Sequence, residues 1–209
     1  LCALSHPPRD AQGGAETEWR AKSGRPVPAV QVRVVDDTGA ELPHDGKSVG
    51  ELQLRGPWIT GGYHRGESPE SLTGDGWLRT GDVGHIDARH YVQLTDRTKD
   101  VIKSGGEWIS SVDLENLLTG HPDVREVAVI ATPDERWQER PLVIVVPEAG
   151  AVDAAQLRQY LRDKVARFWL PEYWSFSTDI PRTSVGKLDK KRLRDLNQAG
   201  QLEVEEVRS

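Results

Sequence analysis

The chain contains no methionine and a single cysteine, Cys2, among its 209 residues. One thiol cannot form an internal disulfide, so a reducing compartment, the cytoplasm, is the simpler expectation. No apolar run approaches the roughly 20 residues of a membrane-spanning helix. The opening LCALSHPPRD has neither the basic start nor the apolar core of a secretory signal. Basic charge is short as well: 27 Lys and Arg stand against 33 Asp and Glu, a formal net charge of -6. That balance argues against a general binder of phosphate backbones, so nucleic acid is not the default partner. A chain that starts at Leu1 and lacks methionine is expected to be a piece of a longer one. What is present, 36% hydrophobic and 29% charged residues, is the composition of a soluble globular protein with one large domain or two small ones.

Residues 1 to about 28 are rich in Gly, Pro and charge, without a sustained period, and read as loop. From Val30 the pattern becomes short alternating segments, VQVRVVD, VGELQLRG and HYVQLTDR, separated by turn residues. This predicts an antiparallel, barrel-like subdomain in which Val30, Val32, Val34, Leu52 and Leu54 face a core. Gln31, Arg33 and Gln53 then face solvent. After Arg97 strands alternate with helices. Ser110 followed by Asp113 predicts a capped helix with Leu114, Leu117 and Leu118 as its apolar stripe and Gly120 beyond its end. EVAVIA (126–131) and LVIVVP (142–147) predict strands covered on at least one face. Asp153 predicts the cap of a second helix, YWSF a further strand, and 189–196 a last short helix. The boundary falls near 96–100. No Pro/Gly-rich linker stands there, so relative movement of the two parts would come from a few hinge dihedrals.

Three segments carry chemistry. WLRTGD presents Asp82, whose ionised carboxylate can accept two hydrogen bonds at once, as a vicinal diol such as a ribose requires. DRTKDVIKSGGEWISSVDLE (96–115) combines the guanidinium fork of Arg97 with Gly105 and Gly106, which let the backbone approach a ligand. IPRTSVGKLDKKRLR (180–194) places Lys187 after Gly186, where a lysine can act as a point cation on charge that builds up in a transition state. It is not a Walker phosphate loop, because Leu188 follows the lysine and no glycine stands five residues before Gly186. Each segment taken singly also has a plain structural explanation: an Asx turn at Asp82, an ordinary hairpin with surface charges, and a solvated basic helix start.

Together, and in this order, GELQLRGPWITGGYHRGE, WLRTGD, 96–115 and the Lys187 segment resemble the later core motifs of the adenylate-forming superfamily, from Gly50 to Arg194. SGGEWIS, with FWLPE before IPRTSVGKLDKK, is most similar to medium- or long-chain fatty acyl-CoA ligases; carrier-protein adenylation domains fit less well. The resemblance implies an α+β chain. Residues 1–97 would be a remnant of a large N-terminal domain, and 98–209 a mobile mixed C-terminal domain. It implies ATP and coenzyme A as substrates, a fatty acid as the third, and Mg2+ in the parent enzyme with no ligand visible in this sequence.

By matched position, Asp82 would hold the ribose hydroxyls and Arg97 would assist there. Lys187 would touch carboxylate and α-phosphate oxygens, and Lys99 would be the hinge. Ser104, Gly105, Gly106 and Glu107 would pass the pantetheine arm, while Trp108 would stack on a nucleotide or pack. The phosphate loop and the adenine-binding motif of the superfamily are absent, so the expected partner is a missing N-terminal domain and the isolated fragment is expected to be inactive. Peripheral membrane association stays open. Two departures are Ala88-Arg89-His90, where a glycine turn is usual, and Gln138, where glycine usually precedes Glu139. The competing readings are an adenylating enzyme that loads a carrier protein and a non-catalytic nucleotide-binding or interaction module.

Overall fold

The computed structural model describes residues 2–148 and 152–207, and the chain divides into two compact units, Leu1–Lys99 and Asp100–Ser209. The first unit opens with β1 (Ala3–Leu4), α1 (Gly14–Ala21) and β2 (Arg25–Pro26), where the sequence predicted only loop. The helix is short and held largely from outside. Glu16 and Arg20 pair one turn apart at 2.6 Å, Trp19 packs on Tyr91 with ring centroids 4.5 Å apart, and Lys22 Nζ lies 2.6 Å from Asp87. Those partners come from distant sequence, so local periodicity does not announce the helix.

Four strands follow: β3 (Gln31–Val35), β4 (Gly50–Arg55), β5 (Leu78–Ile86) and β6 (Val92–Arg97). They form an antiparallel meander in chain order. The alternation predicts its inner face, since Val34 and Leu52 are buried together with Ile86 and Val92. A barrel that side chains can fill takes about 8 strands, and these stay an open sheet. Gln53 departs from the expected pattern, being only 2% exposed. Its side chain lies between Arg33, which donates to its Oε1 at 2.9 Å, and Glu51 Oε2, which accepts from its Nε2 at 3.1 Å. Trp77 is buried on the same side, with the guanidinium carbons of Arg33 and Arg55 each 4.4 Å from its ring centroid. A polar pattern position is thereby turned into an interior one.

The second unit contains β7 (Ile102–Ser104), β8 (Glu107–Ile109), α2 (Ser111–Thr119), β9 (Val124–Asp134), β10 (Gln138–Pro147), α3 (Ala154–Leu161), β11 (Tyr173–Phe176), α4 (Lys190–Gln198) and β12 (Glu205–Glu206). β10 pairs antiparallel with β9 and parallel with β11. A parallel neighbour needs a crossover, which α3 and the following turn supply. Both faces of the β9–β10 pair are buried, which accounts for the nearly unbroken apolar wording. Val127, Val129, Val143 and Val145 pack with Leu114, Leu118, Leu157, Leu161 and Trp174. On the other face Ala128, Ile130, Leu142 and Ile144 pack with Ile180 and Leu193. Each such aliphatic side chain contributes about 1.5–3 kcal/mol by leaving water.

The caps predicted at Ser110 and Asp153 are present, and Asp189 caps the last helix as well. Ser110 Oγ accepts from Asp113 N–H at 3.0 Å, Asp153 and Gln156 cap each other reciprocally, and Asp189 accepts from Arg192 N–H at 3.0 Å. No helix among the described residues is long and apolar enough to cross a membrane.

Candidate functional site

Asp82 stands within β5 rather than at a turn. Between the pairs Gln53↔Arg79 and Glu51↔Val83, β5 advances four residues while β4 advances two. On its other edge the register with β6 shifts again after Val83↔Asp96. Irregularities of this kind re-aim side chains. Gly81 takes φ 71° at the bulge. Thr80 Oγ1 ties it down, donating to the Leu52 carbonyl at 2.7 Å and accepting from Asp82 N–H at 3.0 Å. Asp82 then faces Arg97 directly across the strands, with Arg97 Nε 3.0 Å from Asp82 Oδ1. Their side chains are 30% and 65% exposed, so the pair adds little stability. It fixes one carboxylate oxygen and leaves acceptor capacity on the other.

Lys99 is exposed and is the last residue of the first unit. Asp100 opens the second and is held there by Arg194, whose Nη1 lies 2.8 Å from Asp100 Oδ1.

Ser104 to Glu107 form the tip of the β7–β8 hairpin. Ser104 pairs with Glu107 and Lys103 with Trp108, which leaves Gly105 and Gly106 as the two turn residues at φ 60° and 88°. A two-residue hairpin turn with both φ values positive is where glycine is favoured. A Cβ on Gly106 would meet open space, whereas one on Gly105 would lie 2.8 Å from the Trp137 ring. Glu107 is exposed and Ser104 is buried. Trp108 is half-buried, with Lys103 Nζ 4.8 Å from its ring centroid.

The hairpin leans on four consecutive residues. The Trp137 carbonyl accepts from Gly105 N–H at 2.9 Å, Gln138 pairs with Ser104, Glu139 Oε2 accepts from Lys103 N–H at 2.8 Å, and Arg140 donates to Ser104 Oγ at 3.0 Å. The sequence reading singled out neither Trp137 nor Arg140, because the spacing between these segments is not fixed by any local period. Asp134 shapes the loop that presents Trp137. Partial burial works against its charge, but donation from Trp137 N–H, the Tyr173 hydroxyl and Arg136 N–H holds its carboxyl below the usual range.

Lys187 lies in a tight loop. Thr183 N–H donates to the Lys187 carbonyl at 2.8 Å, and Gly186 N–H donates to the Thr183 carbonyl at 2.9 Å. Gly186 has φ 80°. The Lys187 side chain is exposed. Lys190, three residues on, is instead largely buried, with Nζ 2.8 Å from both Glu115 Oε1 and Ser111 Oγ. The basic run thus holds a structural lysine, Lys190, and an exposed one, Lys187. Among the described residues no group of three or more His, Cys, Asp or Glu side chains gathers to hold a metal ion.

Residues 113–187 match the AMP-binding enzyme C-terminal domain. The chain is 51% identical to a long-chain-fatty-acid–CoA ligase from Thermus thermophilus over 84% of this chain and 33% of that protein. A medium-chain-fatty-acid–CoA ligase from Ectopseudomonas oleovorans is 43% identical, with 84% and 32% covered. Among solved structures, ATP-bound MatB from Rhodopseudomonas palustris superposes with a TM-score of 0.72 at 33% identity, over 87% of this chain and 36% of that one. The chain spans about a third of the length of the curated relatives it matches.

Proposed function

We propose that this chain supplies the ribose-holding sheet and the C-terminal domain of an AMP-forming acyl-CoA ligase whose acid is a fatty acid. In the first half-reaction the acid's carboxylate attacks the α-phosphorus of ATP, giving acyl-AMP and pyrophosphate. In the second, the thiol of coenzyme A attacks the acyl carbon; the bond to AMP breaks, and acyl-CoA, AMP and a proton leave. The observation that carries this reading is Lys187: the matched domain ends on it, and its side chain is exposed while Lys190 nearby is bound to Glu115 and Ser111.

Asp82 accepts from the two ribose hydroxyls, with Arg97 orienting it through the bond already made. Lys187 places its charge where the carboxylate and α-phosphate oxygens crowd together, a role in which losing one donor costs roughly a hundred- to thousandfold in rate. Lys99 is the pivot between the half-reactions. The Ser104–Glu107 turn guides the pantetheine arm, with Gly106 open on its outer side, and Trp108 lies beside it. A reducing cytoplasm suits the exposed free thiol of Cys2.

In the full-length ligase that contains this chain, Lys187→Ala is expected to cut acyl-AMP formation by about a hundred- to thousandfold. Thioester formation from ready-made acyl-AMP is spared. ATP–pyrophosphate exchange and acyl-CoA release measure the two separately. Equal loss of both would refute the assignment.

A further inference from the structure

Arg140 is buried, 4% exposed, at the start of β10. Its guanidinium reaches two segments at once, the β7–β8 hairpin and residues 168–172. Nη1 donates to Ser104 Oγ at 3.0 Å and to the Phe168 carbonyl at 2.6 Å, Nη2 donates to the Leu170 carbonyl at 2.8 Å, and Nε lies 3.4 Å from Glu172 Oε2. Burying a cation is costly unless it is paired and its donors are used; both Nη groups of Arg140 are, while Nε is paired with Glu172 at 3.4 Å without a hydrogen bond among the described residues. Packing alone would be served as well by an apolar residue. What an apolar residue lacks is the planar fork that ties several acceptors into one geometry.

The β7–β8 hairpin needs such a tie. Its strands have three residues each, too few to be stable alone, and its tip is two glycines without side chains to lock it. We propose that Arg140 is a positioning residue for thioester transfer, fixing where the Gly105–Gly106 turn lies by anchoring Ser104 to the 168–172 segment. This rests on the reading of that turn as the passage for pantetheine. Arg140 touches no substrate. Its effect passes through Ser104 and, alongside the bonds that Gly105 and Lys103 N–H donate to the Trp137 carbonyl and Glu139 carboxylate, sets the height of the backbone that the thiol arm must clear.

The test uses the full-length ligase with Arg140→Leu and Arg140→Lys. Acyl-AMP formation from ATP, acyl-CoA formation from ready-made acyl-AMP, and hydrogen exchange at the Lys103 and Gly105 amides are measured in parallel. Arg140→Leu is expected to slow the thioester step by about 10- to 100-fold, the scale of an ångström-sized misplacement. Adenylation stays at the wild-type rate, and both amides exchange faster. Arg140→Lys, which keeps the charge but not the fork, falls between wild type and Leu. Should Arg140→Leu fail to fold, Arg140→Lys and Glu172→Gln carry the test, each with a selective thioester loss expected. An unchanged thioester rate, or parallel loss of both half-reactions in the folded variants, overturns the proposal. A wild-type ligase that forms acyl-AMP but no thioester overturns the pantetheine reading itself, whatever Arg140 does to the amides.

Discussion

His90 and Gln138 both hold left-handed backbone, at φ 61° and 70°, a conformation that costs an L-residue about 1–2 kcal/mol. His90 closes a turn in which its N–H donates to the Asp87 carbonyl at 2.8 Å and Asp87 N–H donates to the Tyr91 carbonyl at 3.0 Å. Gln138 begins β10 beside the glycine hairpin. His90→Gly and Gln138→Gly are each expected to raise stability by about 0.5–1 kcal/mol, the strain relieved less the extra entropy of an unfolded glycine. Urea unfolding measures this; a fall in midpoint would mean that the side chains contribute more than the strain costs. The sequence marks both positions as departures from glycine. The reason is a sign of φ, which no residue string states. That Lys187 is exposed and Lys190 largely buried is likewise not legible in the basic run, because it depends on where Glu115 and Ser111 come to lie.

Helices and strands whose signals are local stand where the sequence puts them. The Ser110 and Asp153 caps, the stripe of Leu114 and Leu118, and the strand character of β9 and β10 all follow from spacing within a dozen residues; that both faces of the pair are covered is a property of the packed unit. What escaped is non-local: α1 is held by Tyr91 and Asp87, Gln53 is enclosed from a neighbouring strand, and the bulge that aims Asp82 is a property of three strands together. The hairpin brace is of the same kind, since Arg140 meets Ser104 only after β7 has joined the sheet. Caps can be tested directly. Ser110→Ala removes the acceptor for Asp113 N–H and is expected to cost about 1 kcal/mol. Thermal unfolding of the 209-residue chain reads it; no change would mean that another group takes over that N–H.

At the scale of the whole molecule the chain is two units with Lys99 at the join. If that residue is the pivot between half-reactions, restricting one dihedral there should separate them. Lys99→Pro locks φ near about -65°. In the full-length ligase it is expected to slow thioester formation more than acyl-AMP formation, with single-turnover assays of each step as the measurement. An unchanged thioester rate would remove Lys99 from that role. The substitution is made outside both cores, in an exposed position, so a selective loss would not reflect unfolding.

β10 has a wider consequence. It is paired on both edges by β9 and β11 and buried on both faces, and Arg140 grows from its first turns of chain. Strands so enclosed open only when the whole domain opens. The glycine turn is therefore tied to a strand enclosed on both edges and both faces. Its placement should survive warming until cooperative melting, with no earlier loosening of its own.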